Sequence, residues 1–226
     1  MEPLSTLLEQ YGSQVPAAFW MNIRLALLAT LGSFVLGVLL ALCRISPVAS
    51  LRALGAGYVH VVRNTPLTIL MLLGVLAVWG QLKVTFAPDF QLNFFIYAVI
   101  ALSLYHAAFM CEAIRSGVNT VPLGQAEAAR AIGLGFLPAA RLVILPQALR
   151  GAITPLGNTV IALTKNTTVA AAASVAEASV LMKTMIEFRP DVMVAIFLTF
   201  AIGFCLIVIP IGLLTTWASD KWAVAR

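Results

Sequence analysis

Residues 127–146 read EAARAIGLGFLPAARLVILP, a charged and glycine-broken segment that interrupts a very apolar chain. Such a segment does not suit the hydrocarbon core of a membrane, because its charges and irregular backbone need water or protein partners. Long apolar stretches flank it on both sides. We therefore predict that the segment folds in the aqueous phase and contacts a soluble partner.

The rest of the chain has the composition of an integral membrane protein. Of its 226 residues, 61% are hydrophobic and only 10% are charged, whereas a soluble domain carries about 25% charged residues. Glu2 and Glu9 precede the first basic residue, so the basic start of a cleavable secretory signal is missing. We expect one membrane domain over residues 1–226, inserted by its own spans.

Five apolar stretches predict an all-α membrane fold with about five transmembrane helices. A helix needs about 20 apolar residues to cross the hydrocarbon. The fourth stretch contains Lys165 among several Thr and Asn residues, but its length favours a span over a surface helix. The predicted spans are residues 17–42, 58–82, 92–111, 154–178 and 191–217, with a loop at about 120–150.

The basic residues predict the orientation of the chain, because cytoplasmic loops carry an excess of Lys and Arg. Lys83, Lys183 and Arg189 fall on one side of the predicted spans. A larger group falls on the other side: Arg44, Arg52, Arg63, Arg115, Arg130, Arg141, Arg150, Lys221 and Arg226. We expect the N-terminus outside, and the C-terminus and the 120–150 loop in the cytoplasm.

Several function classes are disfavoured by the same sequence. The net charge of +5 follows from the loop asymmetry and indicates no nucleic-acid partner. His60 and His106 lie in different predicted spans, without a Cys or carboxylate at ligand spacing, so we expect no metal site. None of the four Lys residues follows a Gly, which excludes a Gly-Lys-Ser/Thr phosphate loop.

The loop itself is predicted to hold two helices. Pro122 suits the first turn of a short helix, and Gly133 with Gly135 is expected to supply a left-handed stop. A second helix should begin near Phe136 and bend at Pro146 as it enters the membrane.

The short helix has the side chains of a docking element. Ala128 and Ala129 allow another surface to approach closely, while Glu127 and Arg130 offer ion pairs that would fix the angle of the helix. The alternative is an interfacial helix that lies on lipid headgroups.

These residues resemble the EAA motif of binding-protein-dependent ABC importer permeases. The match comprises Glu127-Ala128-Ala129, Gly133, Val143 where Ile is usual, and Leu145-Pro146. Four further segments are similar to the permeases that import polar amino acids such as glutamine, glutamate, histidine or arginine. They are Arg63-Asn-Thr-Pro66, Glu112-Ala-Ile-Arg-Ser-Gly117, Pro122-Leu-Gly-Gln125 and Leu163-Thr-Lys-Asn-Thr-Thr168, and the resemblance extends from about residue 18 to 217.

The resemblance implies a permease subunit in the cytoplasmic (inner) membrane of a bacterium. Such a subunit pairs with a second permease, identical or homologous, and receives its amino acid from an external solute-binding protein. The 120–150 loop would form a coupling helix in a groove of a cytoplasmic ABC ATPase dimer, which holds the ATP and Mg. The coupling residues would be Glu127, Ala128, Ala129, Arg130, Gly133 and Pro146, and the chain itself would bind no cofactor and catalyse no reaction.

Polar side chains inside the predicted spans are candidates for the substrate pathway, because they are costly in lipid unless they pair or face water. The candidates are Asn158, Thr164, Lys165, Thr167, Thr168, Thr65 and His106. Lys165 would attract the carboxylate of the substrate. Alternatively, Lys165 pairs structurally with Glu112 or Glu177, His106 bonds a neighbouring helix, and the break at Thr65 before Pro66 is only a helix cap.

Glu112 and Arg115 are three residues apart on one helical face, which predicts a structural ion pair.

Two other classes of protein fit less well. An ion-coupled secondary transporter would use His106, Glu112, Lys165 and Glu177 as a proton relay, but no inverted repeat is visible. An intramembrane enzyme would rest on Ser103 and His106, which lack an orienting third group. We expect an importer of glutamate or glutamine, or of another small polar solute.

Overall fold

The computed structural model describes residues 11–222, and within that range every regular element is a helix. The all-α prediction is confirmed. The helices of the structure, in chain order, are α1 (Gln14–Ile45), α2 (Ala49–Arg63), α3 (Leu67–Trp79), α4 (Phe90–Val118), α5 (Leu123–Ala131), α6 (Phe136–Gly151), α7 (Ile153–Ala173), α8 (Ala178–Phe188) and α9 (Pro190–Trp222).

Three of these helices are long and apolar enough to cross a membrane without a break: α1, α4 and α9. α4 is the shortest of them at 29 residues, which at 1.5 Å per residue gives about 44 Å against a hydrocarbon core of about 30 Å. The predicted spans 17–42, 92–111 and 191–217 lie inside them. Each helix runs beyond its predicted ends, because helical backbone continues past the apolar residues that mark the lipid.

The second predicted span, residues 58–82, is broken at the position before Pro66 where the sequence predicts a helix break. α2 ends at Arg63, α3 begins at Leu67, and the two helices are bent by 100°. Pro66 causes the break, since the residue before a proline avoids the helical region and proline has no N–H to donate. The carbonyls freed there are satisfied locally: the Asn64 amide donates to His60 O at 2.8 Å, and the Thr65 hydroxyl donates to Val61 O at 2.9 Å.

The fourth predicted span, residues 154–178, also differs from the structure. α6 and α7 form a pair bent by 66° at Ala152, and not at Pro146 as predicted. Pro146 is accommodated because it begins a new α-helical stretch directly after the wider π-helical turns of Ala140–Ile144. α7 tightens into 3₁₀ turns and stops at Ser174, whose φ of 58° is left-handed. α8 then forms where a polar connection was expected.

The described residues divide into two compact units, which we call unit 1 and unit 2. Unit 1 contains residues up to 29, 67–102 and 162–210, and unit 2 contains 30–66, 103–161 and 211 onward. In unit 1, Phe200 and Ile196 of α9 pack with Ala178 and Met185 of α8. In unit 2, Val59 of α2 packs with residues of α1 and α4, among them Ala41, Ala108 and Ile114. The expectation of a single membrane domain remains a prediction.

Close helix packing in unit 2 depends on glycine at two positions. A Cβ at Gly117 of α4 would lie 2.0 Å from the carbonyl oxygen of Ala148 in α6. A Cβ at Gly157 of α7 would lie 2.0 Å from the Thr215 side chain in α9. Small residues of this kind let membrane helices approach each other closely. The contact at Gly117 brings together α4 and α6, the helices that precede and follow α5 in the sequence.

Candidate functional site

α5, the short helix of the 120–150 loop, is built as the local sequence predicts at both of its ends. Pro122 directly precedes the helix with φ −58°, which suits a helix start. Gly133 has φ +85°, and its N–H donates to Arg130 O at 2.9 Å, so the chain leaves the helix in a left-handed turn. Gly135 was expected to share that role, but its φ of −66° is ordinary and it begins α6.

The inner face of α5 is anchored in unit 2. Ala129 is only 3% exposed. Beneath the helix lies an apolar cavity of about 460 Å³, which α5 shares with the ends of α1 and α4 and with α6. Val118, Phe136 and Ile144 contribute to its walls, and Arg130 reaches its rim. The residues on the opposite side of the helix are exposed, although Leu123 at its start also borders the cavity.

That opposite face is exposed along its whole length, and we call it the outer face of α5. It consists of Leu123, Gly124, Glu127, Ala128, Ala131 and Ile132. Leu123 is 82% and Ile132 77% exposed. Within residues 11–222, Glu127 takes part in no ion pair. An apolar stripe with an unpaired carboxylate, raised on a polar loop, has the character of an interaction surface.

The predicted coupling residues therefore divide between the two faces. Glu127 and Ala128 point outward, Ala129 points inward, and Gly133 lies exposed at the end of α5. Arg130 is exposed, and its Nε lies 3.4 Å from Ala126 O in its own helix. Pro146 is exposed on α6. The sequence had indicated the segment correctly but could not tell which of the two adjacent alanines, 128 or 129, is buried.

Two contacts of unit 2 hold the helices on either side of α5. Gly117 packs on Ala148, as described above, and the Thr120 hydroxyl donates to Gly117 O at 2.7 Å. Gln147 of α6 reaches Gln125 of α5 at 3.5 Å. The end of α4 therefore meets the backbone of α6, whereas the contact between α5 and α6 is made by the side chains of Gln125 and Gln147.

Glu112 of α4 is the centre of an ion cluster in unit 2. Arg115 Nε lies 3.6 Å from Glu112 Oε2, in the geometry that the i, i+3 spacing predicts. Arg44, at the end of α1, donates to the other carboxylate oxygen. The contact with Arg44 was not predicted, because the two residues are 68 positions apart in the chain. The cluster joins the end of α1 to α4.

The predicted ion pair at Glu177 is wrong for the described residues. The side chain is fully buried at the start of α8 and accepts hydrogen bonds from the backbone N–H groups of Ser179 at 2.9 Å and Val180 at 3.2 Å. The Ser179 hydroxyl and the Asn22 amide also donate to it, the latter at 2.9 Å. Glu177 is a helix cap, for which uncharged donors suffice.

Asn22 of α1 is the residue that the sequence analysis missed. It is 1% exposed, and its amide also donates to Thr167 Oγ1 at 2.9 Å. Its carbonyl oxygen accepts from Ala178 N at 2.9 Å. One amide therefore connects α1, α7 and α8 within unit 1. The available signal was an Asn in an apolar span, which is expensive unless it is hydrogen-bonded.

Lys165 is exposed at the end of the α-helical part of α7. Residues 11–222 contain ion pairs at Glu112 and Asp191 only, and Lys165 takes part in none of them. The alternative in which it pairs with Glu112 or Glu177 is therefore wrong, since these carboxylates have the other partners described above. A role of Lys165 in the pathway remains a prediction.

The structure distributes the other pathway candidates over both units. In unit 1, Thr164 and Thr167 are buried, Thr167 donates to Thr164 O at 2.7 Å, and Thr168 donates to Lys165 O at 3.0 Å. In unit 2, Asn158 is exposed, Thr65 is half-buried, and His106 is 1% exposed beside the rings of Tyr105 and Phe109. Hydroxyls that bond their own helix reduce the cost of polar residues in lipid.

A second cavity in unit 2 is lined mainly by polar residues, and we call it the basic cavity. Its volume is about 670 Å³, and it lies between the end of α1, one side of α2 and α4. Its lining residues are Arg44, Ala56, Gly57, Val59, His60, Arg63, Asn64 and Glu112. Arg63 lies over the ring of Phe109, with its guanidinium carbon 5.4 Å from the ring centroid.

Comparison with known proteins connects this geometry to a family. Residues 33–223 match the family described as binding-protein-dependent transport system inner membrane component. The chain is 44% identical over 228 aligned positions to the glutamate transport system permease protein GluC of Corynebacterium efficiens, covering 99% of this chain and all of the relative. It is 36% identical to the probable glutamine ABC transporter permease protein GlnM of Bacillus subtilis, over 67% of each chain.

Solved structures show a similar fold. The chain superposes with a TM-score of 0.79 on a structure described as an amino acid ABC transporter with histidines, at 24% identity and over 96% of this chain and 97% of the other. It superposes with a TM-score of 0.72 on a structure of the MetNI methionine ABC transporter in an inward-facing conformation, at 20% identity and over the full length of both chains.

Proposed function

Because the chain belongs to the family of binding-protein-dependent transport system inner membrane components, we propose that it is the membrane-spanning subunit of an ATP-driven importer of polar amino acids. Glutamate and glutamine are the proposed substrates. GluC, which is similar over its full length, is named for glutamate transport, and GlnM is named as a probable glutamine transporter. The chain acts as a translocator and not as an enzyme.

The outer face of α5 is the observation that carries this proposal. It combines the exposed Leu123 and Ile132 with Glu127, which is in no ion pair among residues 11–222, and Ala129 anchors the helix on its other side. We infer that a cytoplasmic ABC ATPase covers this surface. The ATPase holds the ATP and Mg, because the chain has no Gly-Lys-Ser/Thr phosphate loop.

The contacts around Gly117 give α5 a way to transmit movement. When the ATPase subunits close on ATP, they shift α5. The close contact of Gly117 with Ala148 and the contact of Gln147 with Gln125 make α4 and α6 move with it. Closely packed interfaces favour discrete rearrangement over gradual deformation. In this account the movement changes the access of the pathway from one side of the membrane to the other.

The remaining partners follow from the architecture of such an importer. A second permease, identical or homologous, completes the translocation pathway, and an external solute-binding protein delivers the amino acid. The excess of basic residues on one side of the spans supports an orientation with the α5 loop and the C-terminus in the cytoplasm and the N-terminus outside the inner membrane. Basic side chains such as Arg141 and Arg150 then face the anionic headgroups of membrane lipid.

The proposed pathway contains the exposed Lys165, which no described carboxylate neutralises. Asn158, Thr164, Thr167 and Thr168 of α7 contribute polar groups near it in the sequence, and Thr65 and His106 are the candidates outside α7. An unneutralised ammonium inside a span is costly in lipid and is better placed beside a water-filled route. There it attracts the carboxylate of the amino acid.

Reconstitution tests this function directly. The chain is assembled in liposomes with its ATPase, its second permease and its binding protein, and uptake of labelled glutamate and glutamine is measured. We expect uptake that requires ATP and binding protein and that is insensitive to collapse of ion gradients. Uptake that is driven by an ion gradient without ATP would contradict the proposal and support a secondary transporter.

A further inference from the structure

The basic cavity has the dimensions and the lining of a site for a small polar molecule. Its volume of about 670 Å³ lies within the range of about 300–1,000 Å³ that is usual for small-molecule sites. Ala56 and Gly57, which have small or no side chains, leave space on one side of it. The polar residues of its lining are Arg44, His60, Arg63, Asn64 and Glu112. The 460 Å³ cavity beneath α5 is, by contrast, mostly aliphatic.

The charges around the basic cavity do not balance. Glu112 is already engaged by both Arg44 and Arg115. Arg63 takes part in no ion pair among residues 11–222. The lining therefore contains two guanidinium groups and one carboxylate, and the excess positive charge belongs to Arg63. Arg63, His60 and Asn64 are all exposed, so a ligand can reach them. Because the excess charge is positive, an anion is the ligand that suits this cavity.

Arg63 is held in position before any ligand arrives. Its guanidinium lies over the Phe109 ring of α4, at 5.4 Å from the centroid. The Asn64 amide is fixed beside it by its bond to His60 O at 2.8 Å. Stacking on a ring occupies the face of a guanidinium and leaves its edge, with the N–H groups, available to a planar anion. A carboxylate fits such an edge with two parallel hydrogen bonds.

We propose that the basic cavity is a subsite for a carboxylate of the transported amino acid, with Arg63 as its main ligand and His60 and Asn64 beside it. This inference rests on the proposed function and adds a specificity to it. The excess positive charge favours an acidic amino acid with a net negative charge over a neutral amide such as glutamine. Arg63 thereby determines the preference between substrates and not only the rate of transport.

The first test measures uptake in liposomes by the complete importer carrying Arg63→Gln or Arg63→Lys. We expect Arg63→Gln to lower glutamate uptake about tenfold at limiting concentration and glutamine uptake much less. Arg63→Lys keeps the charge but lacks the two parallel N–H donors, so its loss of glutamate uptake should be intermediate. The matched control is Arg52→Gln on the same helix, because Arg52 donates only to the carbonyls of Ser46 and Pro47 and does not line the cavity.

The second test observes binding without transport. The chain has two His residues, of which His60 lines the cavity and His106 is buried. Solid-state NMR of ring-labelled His in the reconstituted complex, assigned with His60→Gln, should show that glutamate shifts the His60 signal but not that of His106. The shift should disappear in Arg63→Gln, which is checked by co-purification to be assembled.

The outcomes separate this inference from the proposed function. If the unmodified importer takes up no amino acid with ATP, the proposed function fails. If it transports and Arg63→Gln keeps the same ratio of glutamate to glutamine uptake, the subsite alone is wrong. A His60 signal that responds to phosphatidylglycerol in the vesicle but not to glutamate would overturn the subsite and assign the cavity to a lipid headgroup.

Discussion

Glu177 and Glu127 are carboxylates at the start and in the middle of two short helices, and their surroundings are opposite. Glu177 is fully buried, and its oxygens accept hydrogen bonds from Asn22, from the Ser179 hydroxyl and from two backbone N–H groups. Glu127 is exposed and unpaired within residues 11–222, and it lies between Leu123 and Ile132, which are 82% and 77% exposed.

The contrast distinguishes polar residues that hold helices together from polar residues that are available to a partner. Polar groups that satisfy one another, such as Glu177 and Asn22, hold helices together and need no further partner. The outer face of α5 presents apolar area and charge that residues 11–222 leave uncovered, which suits the partner proposed above. Changes at Glu127 should therefore abolish transport without unfolding the protein. Changes at Asn22 should instead lower the stability of the folded protein.

The largest effect is expected on the outer face of α5. Glu127→Lys reverses a charge on the face that we propose contacts the ATPase, and Gly133→Asp disturbs the left-handed turn at φ +85° that ends the helix. Uptake in liposomes should fall to background for either variant, while the protein remains folded and inserted. The control variant is Asp220→Lys, which makes the same charge change at an exposed position of α9. It should transport normally. Normal uptake by Glu127→Lys would show that α5 does not couple to the ATPase.

Next in size is a loss of stability at the buried cluster of unit 1. Asn22→Ala removes the donor to Glu177 and Thr167 and the acceptor for Ala178 N. Leaving such buried groups unpaired costs about 1–3 kcal/mol each. Denaturant unfolding in detergent should show this loss, and uptake per folded complex should fall less than in Glu127→Lys. Asn119→Ala, at an exposed position after α4, is the matched control. Unchanged stability with impaired uptake would place Asn22 in the pathway.

A comparable loss of stability is expected behind α5, where Gly117 meets α6. In Gly117→Ala the new Cβ would lie 2.0 Å from Ala148 O and 2.8 Å from the Ala152 Cβ, and overpacking of this kind costs about 1–3 kcal/mol. The midpoint of thermal unfolding should fall. Gly57→Ala has no atom within 4 Å of its new Cβ and should be neutral or slightly stabilising. Equal midpoints for the two variants would contradict a tight contact between α4 and α6.

The smallest effect is expected at Lys165, which is exposed and outside every described ion pair. Lys165→Met should lower uptake severalfold by removing the attraction for the substrate carboxylate, and should leave the assembled complex intact. Uptake and co-purification are measured on the same preparation, with Lys183→Met of α8 as the control. Loss of assembly instead of uptake would give Lys165 a structural role.

The sequence predicts the local features of this molecule better than its long-range contacts. α5 and its stop at Gly133 follow from neighbouring residues, because proline, alanine and glycine act within one turn. The break at Pro66 has the same local origin, whereas the packing of Val59 in α2 against α1 and α4 joins residues that are far apart in the chain.

The contacts of Glu177 and Glu112 show why the rest was not predictable. Asn22 is 155 positions from Glu177, and Arg44 is 68 positions from Glu112. Residue types restrict the possible partners of a carboxylate, but only tertiary packing selects among them. The sequence therefore predicted an ion pair at Glu177, although its position directly before α8 also allows a helix cap.

The most direct test of the central claim is affinity purification of the tagged chain from native membranes in mild detergent, with every co-purifying polypeptide identified by mass spectrometry. We expect an ABC ATPase that co-purifies with the unmodified chain and is lost with Glu127→Lys, while the second permease remains. A chain that purifies without an ATPase, and that moves amino acids in liposomes under an ion gradient alone, would contradict it.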